Sequence, residues 1–304
     1  LSNNPEDGET WFKMAEVLGS LSRNEEAIDA YEKSIEMNSS KAGIAASTIS
    51  HLLAWEGRYE EALVASDMAL NLTDPENVQD RLLVLNIKGN ILAEEAKRPE
   101  EALQVFDEAV KLDPRDRTSL MYRASVLKDL HRYNESAEAY QKAIELGANE
   151  SNWITNALIG KGDALNSAGR KDEALEAYRS LLEIKELEVQ ENSEDSMAWE
   201  SKGRAFFKME LYEEAIEAFD RSIEVSPGPY AISSASDAAW AGKGDALLKL
   251  GRNEEALEAY RQAIELYPLN GDAWHGKGEA LQALGKRIEG DWAFQMADKL
   301  GYRE

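Results

Sequence analysis

The chain has 304 residues, no cysteine and a formal net charge of −24. The absence of cysteine excludes disulfides, thiol nucleophiles and cysteine-based metal sites. The acidity argues against nucleic acid as the main partner, because phosphates would be repelled. Apolar residues make up 43% of the sequence, enough for a packed interior, yet no run approaches the roughly eighteen apolar residues of a membrane span. We therefore predict a folded cytoplasmic protein that does not cross a membrane.

A pattern of small and large residues recurs eight times, at a spacing of 34 to 41 residues. Each copy has a small residue in its first half, a short turn, and a second small residue that is followed four positions later by an aromatic residue in most copies. The small residues are Ala15, Ser50, Gly89, Ala124, Gly162, Gly203, Gly244 and Gly278 in the first halves, and Ala27, Ala62, Ala102, Ser136, Ala174, Ala215, Ala256 and Gly290 in the second halves. Spacings of three and four place the key side chains on one helical face, so each copy is predicted to be a pair of closely packed helices.

These positions resemble the tetratricopeptide repeat, whose pattern is W-x2-L-G-x2-Y, then A-x3-F-x2-A, then P. The match is cleanest at 240–263, and a closing proline occurs as Pro114, Pro227 and Pro268. The resemblance implies an all-α fold, an α-solenoid of about eight helix-turn-helix units that forms a right-handed superhelix. We predict one array over 1–304, with residues 1–7 as the tail of a preceding repeat and units at approximately 8–41, 43–76, 82–115, 117–150, 155–188, 196–229, 237–270 and 271–304.

The spacing between units is irregular, and the extra residues fall mainly between one unit and the next. The sequence Asp74-Pro75-Glu76 is typical of a helix start, with proline at the first helical position. After Tyr178 the helical periodicity continues without a breaker, which predicts a second helix that ends near Glu191. Residues 227–236 contain two prolines and a glycine and are predicted to be mostly loop. Pro5 lies 34 residues before Ser39, the closing position of the first unit, so the chain is predicted to be cut from a longer array; the alternative is an ordinary extension with a chance proline.

No catalytic constellation emerges from the sequence. The spacing of Gly271, Gly276 and Lys277 is similar to that of a phosphate-binding loop, but it lacks the final Ser or Thr and lies within a predicted helix. The three histidines fall in different units, without carboxylates at metal-ligand spacing; they are His51, His131 and His275. We predict no cofactor, no metal site and no enzymatic activity.

In the tetratricopeptide family the first helices line a groove, so the resemblance implies a ligand site on that face. The side chains expected to point into it are Phe12, Asn86, Asn90, Met121, Ile159, Asp163, Arg204, Phe207, Asp245, Leu248, His275 and Glu279. The lysines and arginines needed for a carboxylate clamp do not accompany Asn86 and Asn90. The candidates are mainly acidic and apolar toward the C-terminus, and we predict a protein or peptide partner with basic and apolar residues in the groove from the fifth to the eighth unit. The alternative is that the acidity only keeps a long array in solution.

The last helix has an apolar stripe, Ile288, Trp292 and Met296, at positions that are polar or charged in most other units. Because terminal repeats normally turn a polar face outward, the stripe predicts a contact with a partner or with a second copy of the chain. The alternatives are that this end folds differently or packs on sequence absent from this chain.

Two functions are compatible with these features. The first is a non-catalytic scaffold for protein–protein interaction that binds a peptide or partner protein in its groove. The alternative is a regulatory or sensor repeat region cut from a larger multidomain signalling or enzymatic protein.

Overall fold

The computed structural model describes residues 7–147, 151–226 and 235–302. In these residues it contains sixteen α-helices and no β-strand. The chain divides into two compact units, 1–169 and 170–304. The prediction of a single array over 1–304 stays a prediction.

In the described residues of the N-terminal unit there are nine helices, of which the first eight form four successive hairpins. They are α1 (Gly8–Ser20), α2 (Asn24–Glu36), α3 (Ala42–Trp55), α4 (Tyr59–Leu72), α5 (Val78–Asn90), α6 (Pro99–Leu112), α7 (Arg117–Asp129), α8 (Tyr133–Leu146) and α9 (Ser151–Ser167). Each helix packs against the next in the chain, and the first helices α3, α5, α7 and α9 also contact one another in order. This arrangement puts the first helices side by side on one face of the unit, which we call the first-helix face.

The C-terminal unit contains seven helices with the same pattern of contacts. They are α10 (Lys171–Glu191), α11 (Ser196–Lys208), α12 (Tyr212–Val225), α13 (Ala235–Lys249), α14 (Asn253–Leu266), α15 (Gly271–Ala283) and α16 (Arg287–Lys299). The first helices α11, α13 and α15 are again neighbours. In residues 7–147, 151–226 and 235–302, no helix combines the length and the apolarity that a membrane span requires.

The core is built from aromatic rings of second helices that press against small residues of two first helices. The ring of Tyr260 in α14 is fully buried. A Cβ atom placed on Gly244 of the same hairpin would lie 2.7 Å from this ring, and one on Gly276 of the next hairpin would lie 2.3 Å from it. Phe219 is held in the same way between Gly203 and Gly242. The repeat has small residues at these positions because the aromatic ring occupies the space that a larger side chain would need.

The structure corrects one helix start and confirms one helix end. Helix α5 begins at Val78 and not at Pro75, because the side chain of Asn77 caps it by accepting the backbone N–H of Asp80. Helix α10 ends at Glu191, as predicted. The predicted loop at 227–236 lies mostly outside the described residues, and the predicted repeat tail lies outside them except for Asp7.

A π-helical turn, Ile91–Glu95, follows α5 without a break. It absorbs one extra residue: the small residue Gly89 is 13 positions before Ala102, whereas the corresponding distance is 12 positions in every other repeat. A π turn accommodates such an insertion by widening one turn of the helix, so the apolar face of the third hairpin keeps its register. The 13-residue spacing is present in the sequence, but the π turn was not predicted from it.

Candidate functional site

The first-helix face of the N-terminal unit contains a groove of about 470 Å³ between α3, α5 and α7, which we call the N-terminal groove. Three large side chains on its wall are exposed to solvent: Trp55 by 81%, Leu83 by 52% and Tyr122 by 38%. The predicted residues Asn86 and Asn90 line the same groove. The groove therefore offers apolar and aromatic surface next to two amide side chains.

The amide of Asn86 is held in place by the next first helix. Its Oδ1 accepts a hydrogen bond from the hydroxyl of Ser119 (2.9 Å), and its Nδ2 donates to Asp116 (3.4 Å). Asp116 also caps α7 by accepting the N–H of Ser119 (2.8 Å). The side chain of Asn86 is thus a fixed part of the wall, whereas Asn90 lies one turn further along α5.

Sequence reasoning missed Trp55, Leu83 and Tyr122. The predicted groove set used only three positions per helix. Trp55 lies four residues after His51, Leu83 seven before Asn90 and Tyr122 three before Ser125, the central positions of these helices, so none of them was included. A wider helical face at spacings of three, four and seven would have found them.

Two predicted groove residues of this unit are not on the surface. Phe12 is 3% exposed, with its ring 5.4 Å from that of Tyr31 in an edge-to-face arrangement, and Ile159 is 6% exposed. Both prefer the core because apolar side chains at this edge of the helix face can pack between neighbouring helices. Met121 and Asp163 are half-buried. Phe12 and Ile159 therefore do not belong to a ligand surface.

The first-helix face of the C-terminal unit is acidic. Its carboxylates are Glu200 on α11, Asp237 and Asp245 on α13, and Asp272 and Glu279 on α15. The guanidinium of Arg204 is 3.7 Å from the carboxylate of Glu200. We call this set of five carboxylates the C-terminal acidic face.

The pKa values of two of these carboxylates are raised. Burial raises the pKa of Glu200, against the opposing charge of Arg204. Asp245 has an open side, but the protein around it withdraws its carboxylate from bulk water, and Asp272 and Glu279 repel its charge. These effects outweigh a 2.6 Å hydrogen bond from the hydroxyl of Tyr260 and raise the pKa of Asp245 to about 6.

The apolar groove candidates of this unit are half-buried beside the carboxylates. The ring of Phe207 lies 5.6 Å from that of Tyr212, and Leu248 packs against the core. His275 is stacked on Tyr302, with ring centroids 4.1 Å apart. His275 therefore packs against Tyr302 near the C-terminal end. In the described part of the chain, no group of three or more His, Asp or Glu side chains is arranged to hold a metal ion.

The stripe on α16 is exposed at two of its three positions. Ile288 is 87% exposed and Trp292 is 51% exposed, whereas Met296 is half-buried. The ring of Trp292 meets Trp274 edge to face at 5.2 Å, and Nζ of Lys277 lies 4.4 Å from the centroid of Trp274. The indole of Trp292 is thus oriented by its neighbours while one side stays open.

Consecutive helical hairpins pack against one another through small residues, and this arrangement defines an α-solenoid protein. Models of the tetratricopeptide repeat match residues 8–41, 84–116, 116–186 and 198–229, and a model described as TPR repeat matches 244–285. Together these matches cover more than half of the chain. The chain belongs to the tetratricopeptide repeat family.

Two curated relatives match over short stretches. A barley protein named probable UDP-N-acetylglucosamine–peptide N-acetylglucosaminyltransferase SPINDLY is 34% identical over 89 residues, which are 28% of this chain and 9% of the relative. A DnaJ homolog subfamily C member 7 homolog from Schizosaccharomyces pombe is 32% identical over 97 residues, which are 32% of this chain and 20% of the relative. The matches thus span a fifth or less of these relatives' lengths.

Two solved structures have the same fold. A tetratricopeptide repeat protein from Parabacteroides merdae has a TM-score of 0.65 and 14% identity, over 90% of this chain and 98% of that one. Yeast Tom70 has a TM-score of 0.59 and 17% identity, over 98% of this chain and 56% of that one. At these identities the similarity establishes the fold alone.

Proposed function

We propose that this protein is a non-catalytic interaction scaffold that binds a protein or peptide with basic and apolar residues on its first-helix faces. The observation that carries the proposal is the C-terminal acidic face, where five carboxylates outnumber the cations that act on them, which are Arg204 and Lys185 near Glu200 and Lys249 near Asp245. Such a surface favours lysine or arginine in a partner. The half-buried Phe207 and Leu248 offer apolar contacts beside it.

The N-terminal groove supports the same function with different chemistry. Exposed Trp55 and Tyr122 provide large apolar contact area at a low cost in side-chain entropy. The amide of Asn90 is suited to hydrogen-bond the main chain of an extended peptide. We propose that this groove takes an apolar or aromatic residue of a partner.

Charge reversal tests the acidic face. We expect the triple variant Asp245→Lys, Asp272→Lys, Glu279→Lys to lose binding to basic peptides by about tenfold or more, because attraction becomes repulsion. The measurement is selection of a displayed random peptide library on immobilised protein, followed by affinity measurement of the enriched peptides at low and moderate salt.

A matched control carries the same change in net charge away from the face. Glu214→Lys, Glu217→Lys and Glu258→Lys alter exposed positions on the second helices α12 and α14. This control should enrich the same basic and apolar peptides as the parent. Enrichment of identical peptides by the face variant would refute the acidic-face proposal. Asp163 lies in the N-terminal unit, and its reversal is measured separately.

We also propose that the stripe on α16 mediates self-association. Burying Ile288 and Trp292 removes exposed apolar surface from water, so Trp292→Glu should convert an oligomer into a monomer in sedimentation velocity. Trp55→Glu, the same substitution at an exposed tryptophan of the other unit, should leave the mass unchanged. An unaltered mass for Trp292→Glu contradicts self-association through this stripe.

A second candidate is a regulatory repeat region of a larger multidomain protein. It is favoured by the small share, 9% and 20%, that the matched residues make up of the two curated relatives. On a denaturing gel of the source organism's extract, an antibody raised against this chain should then detect a polypeptide well above 33.8 kDa. An endogenous polypeptide of about 33.8 kDa would disfavour this candidate. The absence of catalytic activity and the cytoplasmic location stay predictions.

A further inference from the structure

A polar contact recurs where one hairpin meets the next. It joins the side chain five positions after the opening small residue of a second helix to a cation just before the small residue of the following first helix. The contacts are Lys88 Nζ to Asp67 Oδ1 (2.5 Å), Arg123 Nε to Asp107 Oδ1 (2.5 Å), Lys161 Nζ to Gln141 Oε1 (2.7 Å) and Lys243 Nζ to Asp220 Oδ1 (2.6 Å). Each contact joins the second helix of one hairpin to the first helix of the next.

The first junction has the acid but not the cation. Glu32 stands five positions after Ala27, and Ile49 stands just before Ser50, where the other junctions have lysine or arginine. Ile49 is 5% exposed. Among the residues that the structure describes, Glu32 forms no ion pair. The carboxylate of Glu32 therefore lies beside apolar surface without the counter-charge that the equivalent carboxylates Asp67, Asp107 and Asp220 have.

This junction is an open groove of about 630 Å³ between α2, α3 and α4, which we call the junction groove. Its apolar wall includes Ile35, Val64 and Met68, of which Val64 is 65% exposed and Met68 is 43% exposed. Its rim includes Glu32 and Glu36. Exposed apolar surface rimmed by carboxylates is typical of a surface that another molecule covers.

The equivalent groove at the next junction is polar and smaller, about 410 Å³. Gln104 and Glu108 stand there at the positions of Val64 and Met68. The ion pair of Lys88 with Asp67 crosses it. The same fold thus builds both junctions, and the apolar wall and missing cation of the first one come from its own residues.

We propose that the junction groove binds a segment of a partner protein that has an apolar residue and a lysine or arginine within one helical turn. The apolar side chain packs on Ile35, Val64 and Met68, and the cation pairs with Glu32. Glu36 adds negative potential at the rim. The other two rim carboxylates already have partners: Glu60 pairs with Arg98 (3.2 Å), and Glu61 pairs with Arg58 (2.6 Å).

The probe is a synthetic 14-residue amphipathic peptide of leucine and lysine, compared with a leucine–glutamate peptide of the same pattern. Protein labelled at methionine methyl and tryptophan indole groups is titrated with each peptide by NMR. We expect the leucine–lysine peptide to shift the methyl signal of Met68, and the leucine–glutamate peptide to leave it unchanged. Movement of the Trp55 indole without Met68 would place the peptide in the N-terminal groove and overturn the proposal.

Substitutions that restore the ordinary junction should close the groove. Ile49→Lys supplies the missing cation from within, and we expect it to weaken the leucine–lysine peptide about tenfold. Glu138→Gln, an equal change in net charge at an exposed position of α8, should bind like the parent. Lysine occupies the equivalent position in other repeats, so Ile49→Lys is expected to fold.

A second variant separates apolar contact from charge. Val64→Gln with Met68→Glu imports the residues of the next junction and makes the protein more acidic. We expect weaker binding, whereas attraction by charge alone would strengthen it, and stronger binding would overturn the proposal. A parent that sediments as a dimer and becomes a monomer through Ile49→Lys would assign the groove to a second copy instead. The Met68 shift should persist in the triple variant of the acidic face, so failure of either proposal is recognised independently.

Discussion

At the residue scale, the helices of this protein approach as closely as their glycines allow. The buried ring of Tyr260 occupies the space in which Gly244 and Gly276 have no side chain. Glycine in a helix costs up to about 1 kcal/mol relative to alanine. That cost is offset because the ring packs against two first helices at once.

A methyl group at Gly276 should therefore destabilise the fold. Its Cβ would lie 2.3 Å from Cζ of Tyr260, and we expect Gly276→Ala to lower the free energy of unfolding by about 1–3 kcal/mol in denaturant titrations. The control is Gly19→Ala, because no atom beyond its own chain neighbours and the adjoining helix backbone lies within 4 Å of the Cβ added there. Gly19→Ala should be neutral or stabilising by up to about 1 kcal/mol; equal effects at both positions would contradict the account of the ring.

The raised pKa of Asp245 predicts that the stability of the fold depends on pH. Its pKa rises from 3.8 to about 6 on folding, so the folded state binds the proton more tightly. The resulting contribution to stability is full below pH 3.8 and is lost as pH rises through 6. Asp245→Asn should raise the unfolding midpoint at pH 7.5 by roughly 1–2 °C, a value kept small because the group is partly screened by solvent, and by less at pH 4.5.

Circular dichroism during heating measures both midpoints. Glu258→Gln, at an exposed position on α14, serves as the control for the change in net charge. If Asp245→Asn raises the unfolding midpoint more at pH 4.5 than at pH 7.5, ionisation of Asp245 does not destabilise the folded state.

At the element scale, local sequence signals predict some helix ends correctly, whereas capping and packing determine others. The uninterrupted periodicity after Tyr178 predicted the end of α10 at Glu191, and the structure confirms it. The predicted start at Pro75 was wrong because Asn77 provides a side-chain cap closer to the first apolar contact of α5. The π turn accommodates an insertion of one residue. The sequence spacing shows that this residue is present, but it does not show that a π turn accommodates it.

Deleting one residue from the π turn should be tolerated. Removing exposed Glu94 restores the 12-residue spacing found in the other repeats, so the turn should become α-helical with a change of no more than about 1 kcal/mol in unfolding free energy. Deleting Gln104, in the middle of α6, rotates buried Phe106 and Ala109 away from the core and should cost several kcal/mol. Thermal unfolding followed by circular dichroism compares the two deletions, and an equal loss in both would contradict the role of the π turn as an absorbed insertion.

At the scale of the whole molecule, one repeated hairpin carries surfaces of different chemistry. The N-terminal unit has an aromatic groove with Trp55 and Tyr122 on its first-helix face, and the apolar junction groove between its second helices. The C-terminal unit has carboxylates on its first-helix face and the exposed stripe on α16. The repeat keeps the core positions constant and leaves the surface positions free to differ, which is how one fold offers several binding sites.

The sequence alone determined the all-α repeat fold and the faces that carry Asn86, Asn90, Asp245 and Glu279, because helical periodicity fixes direction about a helix axis. Tertiary structure decided which candidates stay accessible: Phe12 and Ile159 are buried, whereas Trp55, Leu83 and Tyr122 are exposed. It also showed that Glu32 and Ile49 line one groove at positions where Asp67 and Lys88, Asp107 and Arg123, and Asp220 and Lys243 form ion pairs. Accessibility and pairing depend on neighbours distant in the chain, and the period of a single helix carries no information about them.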